Sequence, residues 1–185
     1  MGLIKAFRQA FEDREGALLV IKTINAEHAP DQVALLRDVA KGCNVRFIDG
    51  HISRQEMTGL IASFDSFVSL HRSEGFGIGM AQAMYLGKPV IATGYSGNMD
   101  FMNHNNSYLV RYRLAELEQD YGPYEKGNVW ADPDLDHAAE LMRLVFADRT
   151  GAQIIAARAE ADIKKQMTVD LAGAEMKARI LTLPS

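Results

Sequence analysis

Residues 69–97 read "SLHRSEGFGIGMAQAMYLGKPVIATGYSG". An apolar run ends at His71 and Arg72, a lone carboxylate follows at Glu74, and three glycines come next at positions 75, 77 and 79. A helical stretch leads to "PVIAT" (89–93), which reads as a buried strand, and then to a second glycine turn, "GYSG" (94–97). The unusual residues sit where a strand hands over to a helix.

Working outward, the same alternation extends along the chain. Leu3, Ile4, Phe7, Ala10 and Phe11 recur at helical spacing, and Gly16 ends that helix. "ALLVIKTI" (17–24), "VRFI" (45–48) and "SFVSL" (66–70) read as strands, and "SYLVRY" (107–112) as a fifth after "PVIAT". Helices are predicted over 30–41, opened by Pro30 and Asp31, and from Ser53 to about Phe64, where Ser53 and Glu56 form a capping box. A loop containing Tyr121-Gly122-Pro123-Tyr124 precedes three helices near 134–147, 151–166 and 169–182, and Trp130 and the methionines are expected in the core. Short apolar strands alternating with helices predict an α/β protein with a Rossmann-like parallel sheet flanked by helices. Ligands of such sheets bind outside the carboxyl ends of the strands, where the glycine turns lie.

The bulk properties narrow the field. The 185 residues suit a single domain, with no internal repeat or linker, long enough to bury a core. A net charge of −4 argues against a nucleic-acid partner. Cys43 is the single cysteine, so no internal disulfide forms and a reducing, cytoplasmic setting is expected, with the inner face of a membrane left open as a place of work. No stretch approaches the roughly 18 to 20 apolar residues that span a bilayer.

The glycine turn itself carries chemistry. It is not the dinucleotide fingerprint, because Met80 stands where the third glycine of that pattern belongs, and no Walker-type Gly-Lys-Ser/Thr follows. What remains is a carboxylate, glycines whose N–H groups can face outward, and a helix N-terminus behind them. Unpaired N–H groups and the positive end of a helix dipole receive an anion such as a diphosphate. Glu74 is badly placed to touch phosphate, since like charges repel, but well suited to accept hydrogen bonds from neutral hydroxyls beside it. An anion site with a hydroxyl reader next to it describes a sugar linked to a nucleoside diphosphate. The competing reading is a tight turn with Glu74 placed for the helix dipole.

"SLHRSEGFGIGMAQAMYLGKPVIAT" resembles the donor-binding half of family-4 glycosyltransferases (glycosyl transferases group 1), retaining enzymes of the GT-B fold. Their pattern is Glu, Gly-Phe-Gly, a second Glu eight residues after the first, Ala-Met, and Gly-Lys-Pro-Val-Ile-Ala-Thr. "LIKAFRQAF", "LVIKTIN", "IDGHISRQEM", "ATGYSGNMDFM", "NSYLV", "GPY" and "VWADPD" extend the likeness over nearly the whole chain, toward a bacterial branch that builds surface polysaccharides. The resemblance implies that Glu74 is the catalytic-site carboxylate that contacts the donor sugar's hydroxyls. It implies that the amides of Gly75, Phe76 and Gly77 meet the diphosphate, and that Ile52 lies where the base rests. No metal and no cofactor is expected beyond the nucleotide-sugar substrate.

Two departures stand out. The second motif glutamate, which accepts from both ribose hydroxyls, is Gln82 here. A glutamine offers one carbonyl acceptor and a donor in its place. The family's donor domain also begins with another strand, an Arg/Lys turn and, before these, an acceptor-binding domain. Residues 1–185 therefore read as one donor-binding domain that looks like a fragment, the saccharide or lipid-linked acceptor belonging to the rest. Without that strand, the runs at 17–24 and 66–70 are expected to pair directly, or a second copy is expected to fill the gap as a homodimer.

Lys22 and Arg72 are candidate cations for the diphosphate, and Ser96, Gly97 and Asn98 are expected to line the same cleft. His71 reads as a donor contact or as a structural strand-end histidine. Two other functions stay open. One is a non-catalytic nucleotide-binding module derived from a transferase, to which Gln82 points. The other is a serine hydrolase: "GYSGN" approaches the nucleophile elbow G-x-S-x-G, but Asn98 replaces its last glycine and His137 is the only histidine well downstream.

Overall fold

The computed structural model describes residues 1–11, 16–122 and 124–183; Pro123 of the predicted 121–124 loop lies outside them. The elements run α1 (Gly2–Phe11), β1 (Leu19–Lys22), α2 (Pro30–Val39), β2 (Val45–Ile48), α3 (Arg54–Ser63), β3 (Phe67–Ser69), α4 (Ile78–Tyr85) and β4 (Val90–Thr93). They continue with β5 (Tyr108–Val110), β6 (Tyr112–Glu116), β7 (Val129–Pro133), α5 (Leu135–Ala147), α6 (Arg149–Gln166) and α7 (Val169–Leu181). Local chemistry accounts for the starts. Pro30 opens α2 with a φ already suited to a helix. Ser53 Oγ accepts from Glu56 N (3.2 Å) while Glu56 Oε2 accepts from Ser53 N (2.7 Å), so the capping box forms.

β3, β4 and β5 form a parallel sheet with β4 in the middle, paired Phe67 to Val90 and Ile91 to Tyr108. β4 is buried throughout, and its side chains alternate between two layers. Ile91 packs with Phe7, Ala10, Ala138 and Met142 of α1 and α5. Val90 and Ala92 pack with Met80, Met84, Ala159 and Ile163 of α4 and α6. Leu109 and Val110 divide between the same two clusters. A continuous apolar run thus becomes a strand covered on both faces. Burial on this scale contributes roughly 1.5–3 kcal/mol per large side chain.

Three expectations need correction. β1 pairs in parallel with β2, Leu19 opposite Val45, and not with β3; the two sheets share the α1–α5 core, but no ladder among the described residues joins them. A cavity of about 490 Å³ opens beside β3 instead, lined by Leu3, Val68, Leu70, Arg72 and Leu135 among others. The run at 107–112 does not make one strand. β5 stops at Val110 and the chain resumes as β6, which pairs antiparallel with β7, Tyr112 opposite Pro133. β6 is mostly exposed and rich in charge, so it lacked the buried apolar signal that reveals strands. Finally, Met80, Met84, Met102 and Met142 are buried, whereas Met99, Met167 and Met176 are exposed and Trp130 is half-buried on β7. No helix among the described residues is long and apolar enough to cross a membrane.

Candidate functional site

The two glycine turns, after β3 and after β4, lie side by side at the carboxyl end of the sheet. Gly97 N donates to Glu74 O (3.1 Å), and the Ser96 hydroxyl donates to the same carbonyl (2.8 Å). Ser96 Oγ in turn accepts from Glu74 N (3.3 Å). The Glu74 backbone is therefore held from both sides, while its carboxylate enters no hydrogen bond or ion pair among the described residues. Its side-chain stem lies beside Gly77: a Cβ added at 77 would stand 3.5 Å from Glu74 Cγ and 3.5 Å from Asn98 Cβ.

Gly77 caps α4 with φ 93° and ψ 48°, in the left-handed region open to glycine. Among the described residues no side chain caps this helix, so its first N–H groups are left for a ligand or solvent. A carboxylate with a fixed backbone thus stands at an uncapped helix start. That combination can bind an anion and read a neutral hydroxyl next to it.

His71 ties the second turn to β3. Its Nε2 lies 2.9 Å from Tyr95 O and 3.1 Å from Asn98 Oδ1, and its Nδ1 lies 3.2 Å from Ser69 Oγ. Both partners of Nε2 are acceptors, because Asn98 Nδ2 is already donating to Thr93 O (3.0 Å). Nε2 therefore carries the proton and Nδ1 accepts from Ser69. His71 serves as a brace, and Asn98, fully buried, is held by it and by Thr93. The Asn98 side chain is consumed internally.

The two expected cations are also engaged within the chain. Lys22 Nζ donates to Thr23 O (2.6 Å) and to Gly50 O, bridging the ends of β1 and β2. Arg72 pairs with Asp132 Oδ1 (2.8 Å), and its guanidinium lies over the Trp130 ring, 4.9 Å from the centroid. Its carbonyl accepts from Ala131 N (2.9 Å), so the β6–β7 hairpin is fastened beside the glycine turn. Ile52 is half-buried in the turn between β2 and α3.

Gln82, half-buried on α4, lines a cavity of about 410 Å³ with Arg54, Thr58, Phe76, Tyr85 and Met167. Arg54 and Thr58 were not expected there; their signal was the one-turn spacing on α3, which puts both on one face. The hydrolase arrangement does not form. The Ser96 hydroxyl donates to Glu74 O, and His137 Nδ1 accepts from Arg111 N (3.0 Å). Nearby, Asp134 caps α5 by accepting from His137 N (3.0 Å), which with Arg111 holds its carboxyl below the usual range.

A family model described as glycosyl transferases group 1 matches residues 2–162. No curated protein matches the sequence. Among solved structures, HepE from Anabaena in complex with UDP-glucose is similar over 98% of this chain and 44% of its own, with 19% identity and a TM-score of 0.73. WaaG, a glycosyltransferase involved in lipopolysaccharide biosynthesis, is similar over 99% of this chain and 43% of its own, at 20% identity and a TM-score of 0.65. A glycosyltransferase from Rickettsia africae is similar over 98% of this chain and 45% of its own, at 14% identity and a TM-score of 0.65. The chain spans less than half the length of these structures.

Proposed function

The chain belongs to the glycosyl transferases group 1 family, and we propose that it is the donor-binding part of a retaining glycosyltransferase. It takes a nucleoside diphosphate sugar. The bond from the sugar C1 to the diphosphate oxygen breaks, and a bond from C1 to an acceptor hydroxyl oxygen forms on the same face. The acceptor's proton leaves with the released diphosphate.

In this reading Glu74 accepts from the sugar hydroxyls, the amides at Gly75, Phe76 and Gly77 receive the diphosphate, and Gln82 meets the ribose. Gly97 contributes closeness of backbone, and Ile52 an apolar wall near the base. Lys22, Arg72 and Asn98 hold the surrounding turns, and Arg54 is the cation that shares a cavity with Gln82. The acceptor, a saccharide or a lipid-linked saccharide for surface polysaccharide, binds to a part of the enzyme that these 185 residues do not span. On this reading the 185-residue chain alone binds donor and transfers nothing, and the whole works in the cytoplasm or at the inner membrane face.

The observation that carries the proposal is the Glu74 carboxylate, fixed through its backbone at an uncapped helix start. Support comes from HepE, solved with UDP-glucose on the same fold. Calorimetry against UDP, GDP, dTDP and ADP and their glucose or mannose conjugates tests it. At least one sugar conjugate should bind, and Glu74→Gln should weaken the conjugate more than the parent diphosphate. Equal loss for both would remove Glu74 from the sugar.

The engagement of Lys22 and Arg72 favours a second reading, a non-catalytic nucleotide-binding module derived from a transferase. Donor hydrolysis by the chain, or transfer once it is joined to an acceptor-binding part, separates the two.

A further inference from the structure

Ser96 adopts φ 80° and ψ −153°, a region that a Cβ disfavours and that glycine enters freely. Among the described residues only Asn25 is another non-glycine with positive φ, and its φ 57° and ψ 33° fall in the common left-handed well. Ser96 sits within a turn that already carries Gly94 and Gly97, and a third glycine would relieve the strain. The hydroxyl supplies the reason for serine. It donates to Glu74 O (2.8 Å) and accepts from Glu74 N (3.3 Å), so one oxygen grips both peptide groups that flank the Glu74 α-carbon.

We propose that Ser96 is a positioning residue, held in a strained conformation so that its hydroxyl sets the direction in which Glu74 presents its carboxylate. This differs from a donor contact, since the hydroxyl faces the protein's own backbone. Fixing both peptide planes fixes the Cα–Cβ vector, so a carboxylate that must meet particular hydroxyls has only its side-chain torsions left to order on binding. Strain retained at such a position is compensated by the packed surroundings: Asn98 is buried beside it and His71 pins Tyr95 and Asn98. The inference rests on the proposed role of Glu74 toward the donor sugar.

The test compares Ser96→Gly with Ser96→Ala in the full chain, using the tightest binder among UDP-glucose, GDP-mannose, dTDP-glucose and ADP-glucose. Both variants lose the hydroxyl; only glycine also sheds the strain. Ser96→Gly should therefore melt at a higher temperature than Ser96→Ala, while both bind the nucleotide-sugar about five-fold more weakly than wild type. The Glu74 amide should exchange with solvent about ten-fold faster in both, read by NMR without ligand. A merely structural role makes affinity follow stability, so recovery of wild-type affinity in Ser96→Gly overturns the proposal. Unchanged exchange at Glu74 does so too. If wild type binds none of the four sugars, the proposed function fails and the exchange rates alone decide the clamp.

Discussion

A Cβ placed on Gly97 would lie 2.0 Å from the carbonyl oxygen of Gly75, a distance no side chain can occupy. The backbone of the second turn therefore runs directly against that of the first, and the obstacle is main chain, which cannot swing aside. Gly97→Ala should separate the turns and break the Gly97 N to Glu74 O hydrogen bond. The expected cost is about 2–4 kcal/mol in urea unfolding. A variant as stable as wild type would show that the two turns are not locked together.

Gln82 offers a sharper chemical test. Two neighbouring ribose hydroxyls are best met by a carboxylate, which accepts from both. Gln82→Glu keeps the shape and should tighten nucleotide binding several-fold, corresponding to about 1 kcal/mol. Charge repulsion from the diphosphate opposes this gain, so the uncharged nucleoside should be measured alongside and should gain more. Unchanged affinity for both ligands would take Gln82 out of the site.

Asp134 should make stability depend on acid. Its carboxyl is held below its ordinary range, first by the hydrogen bond from His137 N, with Arg111 adding attraction. A lowered folded value means that the stabilisation is fully present above the unfolded carboxylate value of roughly 3.9 and is lost as pH falls through the folded value. Asp134→Asn keeps a capping oxygen but not the charge. Thermal melts should show wild type ahead of the variant at pH 7 and the two converging as the pH falls through the lowered folded value of Asp134. A gap that persists in acid would show that the charge contributes nothing.

The open edges of β1 and β3 bear on assembly. Phe67 N donates to Pro89 O, so the alternating Val68 N–H points away from β4; Leu19 N donates to Asn44 O, so the Val20 N–H points away from β2. If a second copy adds a strand there, sedimentation should show mass rising with concentration, and Val68→Pro should keep the protein monomeric without touching the β4 ladder. A wild-type chain that stays monomeric throughout would rule out the homodimer.

Much of the architecture was legible because it is written in local signals. Pro30, the Ser53–Glu56 pair and the glycines before Ile78 mark helix starts by chemistry that acts within a few residues. The apolar run at 89–92 announced a buried strand, and the order of motifs carried the family. Tertiary structure alone decided what the candidate side chains are free to do. Arg72 is claimed by Asp132, sixty residues on, and Lys22 by a carbonyl at Gly50. β6 and β7 found each other without an apolar pattern to foretell it. Ser96 looked like a ligand contact in the sequence, yet its hydroxyl is spent on the Glu74 backbone 22 positions earlier. Periodicity and capping report the few residues around a position. Which donor meets which acceptor across the fold is set only when the sheet brings distant turns to one end.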